Sequence, residues 1–262
     1  MSKQVNSTVQ SRASLRLTVL VLATLVLGAC ATPAQQQRSS DAAAINTRLG
    51  IEYMRRGDLA LAKEKLDKAV AQDSGSADVH AARAELFQRM GQKDNADSEF
   101  RRALSLAPGD PNIENSYAVF LCANGRPDDG VKRFLEAAHN PLYKTPEVAY
   151  TNAGVCLRAA KRDDEAALDF TRALQINSNY AEAAFQLASL QFERGQLPAA
   201  RSQIDGYLAS HDATADLLLL GVRVARAQGD RMGALGYARR LQRDFAGSDQ
   251  ARALAALDHN PG

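Results

Sequence analysis

The sequence predicts an all-α protein, a right-handed α-solenoid of about six helix-turn-helix repeats with a short C-terminal capping helix. Three observations predict it. Side chains of similar size recur about every 34 residues, turn residues separate the helices within that period, and no segment has the alternating pattern of a β-strand. Hydrophobic residues make up 45% of the chain, so it can bury a core.

The repeats align on the turn between their two helices. The turn positions are Gly57, Gly91, Gly125, Lys161, Gly195 and Gly229. Seven residues before each of the first five turns lies a small residue, such as Gly50, and nine residues after them lies a large apolar one, such as Leu66. Helices with this alternation wedge against their neighbours, and the period of about 34 residues resembles that of tetratricopeptide repeats.

The composition shifts along the chain predict its domain boundaries. They are a signal peptide at 1–29, a lipidated flexible tether at 30–41, and the solenoid at 42–257, with repeats at 43–76, 77–110, 111–146, 147–180, 181–214 and 215–248 and a cap at 249–257. The third repeat has two extra residues in its C-terminal turn, between Asn140 and Pro146.

Two repeats depart from the pattern. Twelve residues after the turn, the first four repeats have alanine, whereas the fifth has Tyr207. In the sixth, Gly221 and Tyr237 fit a frame one residue earlier than Gly229 and Ala234 do.

The first 29 residues are typical of an export signal, with a positive start, an apolar run and small residues before Cys30. The Leu-Gly-Ala-Cys sequence resembles the bacterial lipobox, which implies a covalent diacylglycerol and an N-acyl chain such as palmitate on Cys30. An ordinary signal peptide with an incidental cysteine is the alternative. Ala31 is not the aspartate that retains many lipoproteins in the inner membrane, so we expect an outer-membrane protein that faces the periplasm.

Charge and polar motifs exclude several functions. Removing Lys3, Arg12 and Arg16 with the signal peptide lowers the 32 basic residues to 29, against 30 acidic ones, so no nucleic acid partner is expected. The four histidines are dispersed, and no metal-ligand spacing, phosphate loop or nucleophile motif is found. We expect no metal, no cofactor besides the Cys30 lipid, and no enzymatic activity.

The two remaining cysteines, Cys122 and Cys156, fall on the first helices of the third and fourth repeats. Such helices lie side by side, and an oxidising envelope favours pairing, so a disulfide is predicted. Two buried free thiols are the alternative.

The first helices of the repeats also line the concave surface, where partner binding is expected. The predicted groove consists of Ile51, Met54, Arg55, Glu85, Gln88, Asn115, Val119, Val155, Arg158, Phe185 and Phe192. Its apolar floor and polar sides suit an amphipathic helix or an extended apolar segment. Alternatively, Ile51, Val119 and Val155 pack between repeats.

Four segments carry a closer resemblance. They are NSYAVFLC (115–122), PLY (141–143), NAGVC (152–156) and LLLGVR (218–223). With the lipobox, they make the chain similar to the type IV pilus biogenesis and stability lipoproteins, the tetratricopeptide pilotins of the PilF/PilW family. Ala118 departs from that pattern, since glycine often follows the tyrosine there.

The resemblance implies a pilotin, a monomeric solenoid held by lipid on the inner leaflet of the outer membrane. It would bind the type IV pilus secretin and promote its localisation and multimerisation there, which pilus assembly and twitching motility require. A tetratricopeptide scaffold for another envelope task, such as outer-membrane protein insertion or cell-wall hydrolase docking, is the alternative. A hydrolase or transferase fails for want of a catalytic constellation.

Overall fold

The computed structural model describes residues 32–259, and every regular element within that range is a helix. The helices are α1 (Pro33–Arg55), α2 (Leu59–Gln72), α3 (Ala77–Arg89), α4 (Lys93–Leu106), α5 (Pro111–Ala123), α6 (Pro127–His139), α7 (Pro146–Ala159), α8 (Asp163–Ile176), α9 (Ala181–Glu193), α10 (Leu197–Ser210), α11 (Ala215–Ala227), α12 (Arg231–Asp244) and α13 (Asp249–His259). The predicted all-α architecture is confirmed. The predictions for the signal peptide and Cys30 lie outside the described residues.

The chain divides into two compact units, one through Ala82 and one from Arg83 onward. The first unit is built on α1 and α2 and closes around a small cluster of Ala43, Ala69 and Val79. The second unit contains α4 to α13 and several apolar clusters, the largest of which lies in the fifth and sixth repeats.

The first helix begins at Pro33, so the prediction of a flexible tether through Asp41 is wrong from Pro33 onward. Thr32 caps the helix by accepting from the Gln35 N–H, and proline suits the first helical position. Ser39 Oγ donates to the Gln72 carbonyl at 2.6 Å. The polar composition of residues 31–41 predicted a solvated tether, but the Ser39 side chain bonds to the end of α2 instead.

Small residues let the paired helices of the second unit approach closely. A Cβ added to Gly154 would come within 2.5 Å of the Phe170 ring, and one added to Gly221 would come within 2.9 Å of the Tyr237 ring. The glycine precedes the ring by sixteen residues in both pairs. The sixth repeat therefore keeps the packing pair while its turn, at Gly229, lies one residue later.

The turn between the paired helices requires a left-handed residue. Gly125 has a φ of 76°, and Lys161 takes the same place in the fourth repeat with a φ of 63°. Lys161 is the only residue other than glycine with a positive φ between 32 and 259. The predicted turn role of Lys161 is confirmed.

The connections between repeats differ in one place. Residues 140–145 separate α6 from α7, whereas four residues, such as 177–180, separate the other pairs. Asn140 anchors the longer turn by donating from Nδ2 to the Gly109 carbonyl at 2.8 Å, and Leu142 at its tip is 80% exposed. None of the helices described is long and apolar enough to cross a membrane.

Candidate functional site

The predicted groove residues fall on both units. Ile51, Met54 and Arg55 belong to α1 in the first unit, and the others belong to the second. Met54 is only 2% exposed, so its assignment to the groove is wrong. Ile51 is half-buried, and Arg55 is exposed and pairs with Glu52 at 3.4 Å. Met54 points to the core because it lies one turn after the buried Gly50, on the packed side of α1.

Two valines form the apolar centre of the candidate site. Val119 on α5 is 41% exposed and Val155 on α7 is 42% exposed. Each follows the small residue that packs against the second helix of its repeat, Ala118 or Gly154. Both valines thus present part of their side chains to solvent on the predicted groove, whereas Ile51, the third residue of the packing alternative, is half-buried. We call Val119, Val155 and the polar residues Asn115, Asn152 and Arg158 the valine face.

Amide and carboxylate groups border the valines on neighbouring helices. Asn152 Nδ2 donates to Asn115 Oδ1 at 3.1 Å, and Ser116 Oγ donates to Glu85 Oε1 at 3.4 Å. Burial raises the pKa of the Glu85 carboxyl above its ordinary value of 4.5, and the Ser116 hydrogen bond and the charge of Arg89 oppose that rise. Gln88, one turn after Glu85, is half-buried.

Arg158 is held in place by residues of the next repeat. It donates to Gln186 Oε1 at 2.5 Å and to both Glu193 oxygens at 2.8 Å. Val155 and Lys161 line the same hollow of about 290 Å³. The guanidinium is fixed beside Val155 in a hollow whose other lining residues are mostly charged or polar, which suits recognition of a polar group that flanks an apolar side chain.

Phe185 and Phe192 on α9 are half-buried and pack against the core of the fifth and sixth repeats. The Arg223 guanidinium lies 5.2 Å from the centre of the Phe192 ring, within range of a cation–π interaction. Both rings therefore pack α9 against its neighbours, and only a small part of each ring is exposed on the predicted groove.

Cys122 and Cys156 are joined as a disulfide, with their Cα atoms 5.7 Å apart. The bond links α5 to α7, the first helices of the third and fourth repeats. Cys156 is 5% exposed, whereas Cys122 is half-buried. Cys122 lies one turn after Val119 and Cys156 directly follows Val155, so the bridge fixes the spacing of the two helices that carry the valine face.

The sequence did not reveal a ladder of ion pairs that links the turns of consecutive repeats. An arginine beside the turn reaches an aspartate of the preceding repeat. The pairs are Arg126 with Asp97 at 3.2 Å, Arg162 with Asp128 at 2.6 Å and Arg194 with Asp164 at 2.8 Å. The arginines recurring beside the turns were the signal that could have revealed the ladder.

No group of three or more His, Cys, Asp or Glu residues in the described part of the chain is arranged to hold a metal ion. His139, for example, bonds the Tyr150 hydroxyl at 3.1 Å.

Consecutive helix pairs with small residues at their contacts define a tetratricopeptide-repeat protein. Residues 77–110 match the tetratricopeptide repeat family itself. Proteins of this class present helix surfaces to protein partners, and the chain is a binding scaffold rather than an enzyme.

The chain is 33% identical over 200 residues to the type IV pilus assembly protein PilF of Pseudomonas aeruginosa, a match that covers 76% of this chain and 79% of PilF. The chain therefore belongs to the PilF family of type IV pilus biogenesis proteins. A 27% identical match to an uncharacterised Haemophilus influenzae protein covers 62% of this chain and 91% of that protein.

Two solved structures agree with this assignment. The structure of Pseudomonas aeruginosa PilF superposes with a TM-score of 0.65 at 31% identity, covering 83% of this chain and 98% of PilF. The structure of PilW, a widely conserved type IV pilus biogenesis factor, gives a TM-score of 0.65 at 30% identity, covering 81% of this chain and 98% of PilW.

Proposed function

We propose that this protein is a lipid-anchored pilotin of the outer membrane that binds the type IV pilus secretin. Binding promotes the outer-membrane localisation and multimerisation of the secretin, and so pilus assembly and twitching motility. Membership of the PilF family carries the proposal. The Leu-Gly-Ala-Cys sequence that ends at Cys30 supports the anchor, whose lipid would hold the chain on the inner leaflet with its repeats in the periplasm.

The valine face supports the binding part of the proposal. It combines two exposed aliphatic side chains with a fixed guanidinium and two amides. An apolar centre bordered by polar groups is the usual composition of a site for an amphipathic or extended segment. The secretin segment expected here presents apolar residues to Val119 and Val155 and an acceptor to Arg158.

Anchor and face act together. A lipid on Cys30 confines the protein to a thin layer beside the membrane, which raises its effective concentration toward membrane-bound secretin subunits. Even modest affinity at the valine face then holds a subunit there. Loss of either part weakens assembly, but only loss of the anchor changes where the protein resides.

The first test follows the secretin in outer-membrane fractions of the wild type, a deletion strain and a Cys30→Ala strain. Detergent-resistant multimers are scored on gels. We expect the multimers to be lost or mislocated on deletion and to be reduced in the Cys30→Ala strain. Unchanged multimers in both strains would contradict the pilotin role and leave a scaffold for another envelope assembly.

The second test uses the double substitution Val119→Asp and Val155→Asp, which places charge at the apolar centre. We expect secretin binding to weaken by about tenfold or more, as for central residues of an interface. Leu168→Asp is the matched control, because Leu168 is 59% exposed on α8, a second helix of its repeat. Equal loss in both variants, at unchanged helicity, would exclude the valine face as the binding surface.

A further inference from the structure

A second surface feature lies away from the valine face, between the second helices of the fourth and fifth repeats. It is a cavity of about 650 Å³ formed by α8, α9 and α10. Its lining residues are Thr171, Leu174, Gln175, Ser178, Leu187, Gln191, Gln203, Gly206, Tyr207, Ser210 and His211. Its volume falls in the range of small-ligand sites, and it is open to solvent on one side.

The lining carries hydrogen-bonding groups but no formal charge. Three glutamines and four hydroxyl residues surround an apolar floor of Leu174 and Leu187, and none of the lining residues is Asp, Glu, Lys or Arg. Charged residues make up 24% of the chain, so their exclusion from this cavity is notable. Amides and hydroxyls each donate and accept, which matches a neutral ligand rich in hydroxyl or amide groups.

The cavity exists because one position departs from the repeat pattern. Eleven residues after the turn, the other repeats carry a long charged side chain: Lys68, Arg102, Glu136, Arg172 and Arg240. The fifth repeat has Gly206 there, in the interior of α10. A Cβ added to Gly206 would meet no heavy atom within 4 Å, so the glycine leaves open space rather than avoiding a clash.

The adjacent position departs as well. Tyr207 stands where the first four repeats have alanine, and its hydroxyl donates to the Asn179 carbonyl at 3.2 Å. The centre of its ring lies 4.9 Å from that of His211, the residue that directly follows α10. This aromatic pair makes one end of the cavity rigid, and the hydrogen bond ties that end to the turn between α8 and α9.

Gln191 supplies a group that lacks a partner. Its Oε1 is buried, and no residue of the described chain donates a hydrogen bond to it. A buried amide oxygen without a donor is costly, and such groups are rare in folded proteins. The Gln191 side chain lines the cavity, so a small rotation brings this oxygen to a ligand that carries a donor.

We infer that this cavity binds a neutral oligosaccharide, whose hydroxyl groups match the amides and hydroxyls around it while its ring faces contact Leu174, Leu187 and the aromatic end. A charged ligand would find no counter-charge in the lining. An apolar peptide would leave the glutamines without partners. This site is separate from the valine face and is independent of the proposed pilotin role.

The test titrates the full chain, held in a detergent without a sugar headgroup, with two neutral tetrasaccharides. One is a tetramer of glucose, and the other is a tetramer of N-acetylglucosamine, which adds amide donors. Ligand-observed NMR gives the dissociation constants. We expect saturable binding, and the difference between the two sugars reports whether hydroxyl groups alone suffice.

Two substitutions at Gly206 give a matched pair. Gly206→Arg installs the residue that Arg172 and Arg240 supply in other repeats, so it fits the helix but fills the cavity. We expect it to weaken sugar binding by at least about tenfold, whereas Gly206→Ala should keep it within a factor of about two. Circular dichroism of both variants should match the wild type.

A third variant, Gln191→Leu, removes the unpaired oxygen. We expect weaker sugar binding with no fall in the unfolding temperature, because loss of an unsatisfied buried group does not destabilise the fold. Absence of saturable sugar binding would overturn the inference. So would binding that Gly206→Arg leaves unchanged, or a neutral glutamine-rich and serine-rich peptide that binds in place of both sugars.

Discussion

Gly130 lies against the sulfur of Cys122, so that a Cβ on this glycine would overlap Sγ. Gly130 belongs to α6 and Cys122 to α5, and the sulfur continues into the bond with Cys156 on α7. The backbone oxygen of Ala118 would stand only 3.0 Å from the same Cβ. Room for the bridge therefore depends on the absence of a side chain at position 130.

This relationship predicts that Gly130→Ala destabilises the protein. Alanine favours a helix over glycine by about 0.5–1 kcal/mol, but overpacking a fully packed site costs about 1–3 kcal/mol. Because the clash outweighs the helical gain, we expect a net loss of unfolding free energy in urea denaturation under oxidising conditions.

Gly206→Ala is the control, since this glycine is also inside a second helix but faces open space. Only the helical gain applies there, so we expect stabilisation by about 0.5–1 kcal/mol. If Gly130→Ala and Gly206→Ala changed the free energy of unfolding in the same direction, the close packing assigned to Gly130 would be wrong.

The bridge itself should stabilise the repeats it joins. It closes a loop with a sequence separation of 34 residues. Restriction of the unfolded chain then contributes at most about 3–4 kcal/mol, so Cys122→Ser with Cys156→Ser should lower the unfolding temperature, as should reduction of the wild type.

Thiol labelling tests whether the bridge forms in the cell. A Cys30→Ala background leaves Cys122 and Cys156 as the remaining cysteines of the three in the chain. Maleimide should label neither of them in denatured, non-reduced protein and both after reduction. Labelling of both before reduction would show two free thiols and support the alternative drawn from the sequence.

The repeat frame could be predicted because small and large side chains recur at fixed positions relative to each turn. A small residue sixteen positions before a large one, as in Gly154 and Phe170, specifies a close helix contact that no other residue sizes allow. The pairing survives at Gly221 and Tyr237 even where the turn shifts. Lys161 was predicted as a turn residue by position alone, and its left-handed backbone confirms it.

The candidate site was less predictable, because exposure depends on how far a helix is rotated in its repeat. Val119 and Met54 were both assigned to the groove, yet Val119 is 41% exposed and Met54 is 2% exposed. The cavity beside Gly206 was missed because it depends on an absent side chain, which only a comparison of equivalent positions reveals. The polar composition of residues 31–41 wrongly predicted a tether, because the hydrogen-bond partner of Ser39 lies on α2 and is distant in the sequence.

The half-buried Glu85 carboxyl predicts a pH-dependent gain in stability from Glu85→Gln. Burial raises the pKa of Glu85 in the folded state above its ordinary value of 4.5, so the folded state binds protons more readily than the unfolded state. Ionisation of this group therefore costs stability as pH rises through that range. Glutamine keeps an acceptor for Ser116 without the charge, and we expect a higher unfolding temperature at pH 7.5.

The pH profile distinguishes this cause from a general effect of removing charge. Below pH 4 the carboxyl is largely protonated in both states, so the advantage of Glu85→Gln should shrink toward zero. Glu136→Gln, at an exposed position on α6, should show no comparable gain at pH 7.5. A gain that persisted unchanged at low pH would contradict the role of burial.

The start of α1 gives the last prediction. If residues 33–41 were a flexible tether, their amides would exchange with deuterium at the rate of an unfolded chain, and Ser39→Ala would leave stability unchanged. The structure places these residues in a helix whose Ser39 and Ser40 side chains bond Gln72 and Asp73 of the α2 end, at 2.6 Å and 3.1 Å. We therefore expect amide protection from about Gln37 onward, because the first turn of a helix lacks intrahelical partners.

Ser39→Ala should cost about 1 kcal/mol through the lost hydrogen bond and speed exchange on α1. Ser105→Ala is the control and should not affect α1, because the Ser105 hydroxyl bonds the carbonyl of Arg102 in its own helix. Unprotected amides across 33–41 would restore the tether and lengthen the reach of the solenoid from Cys30.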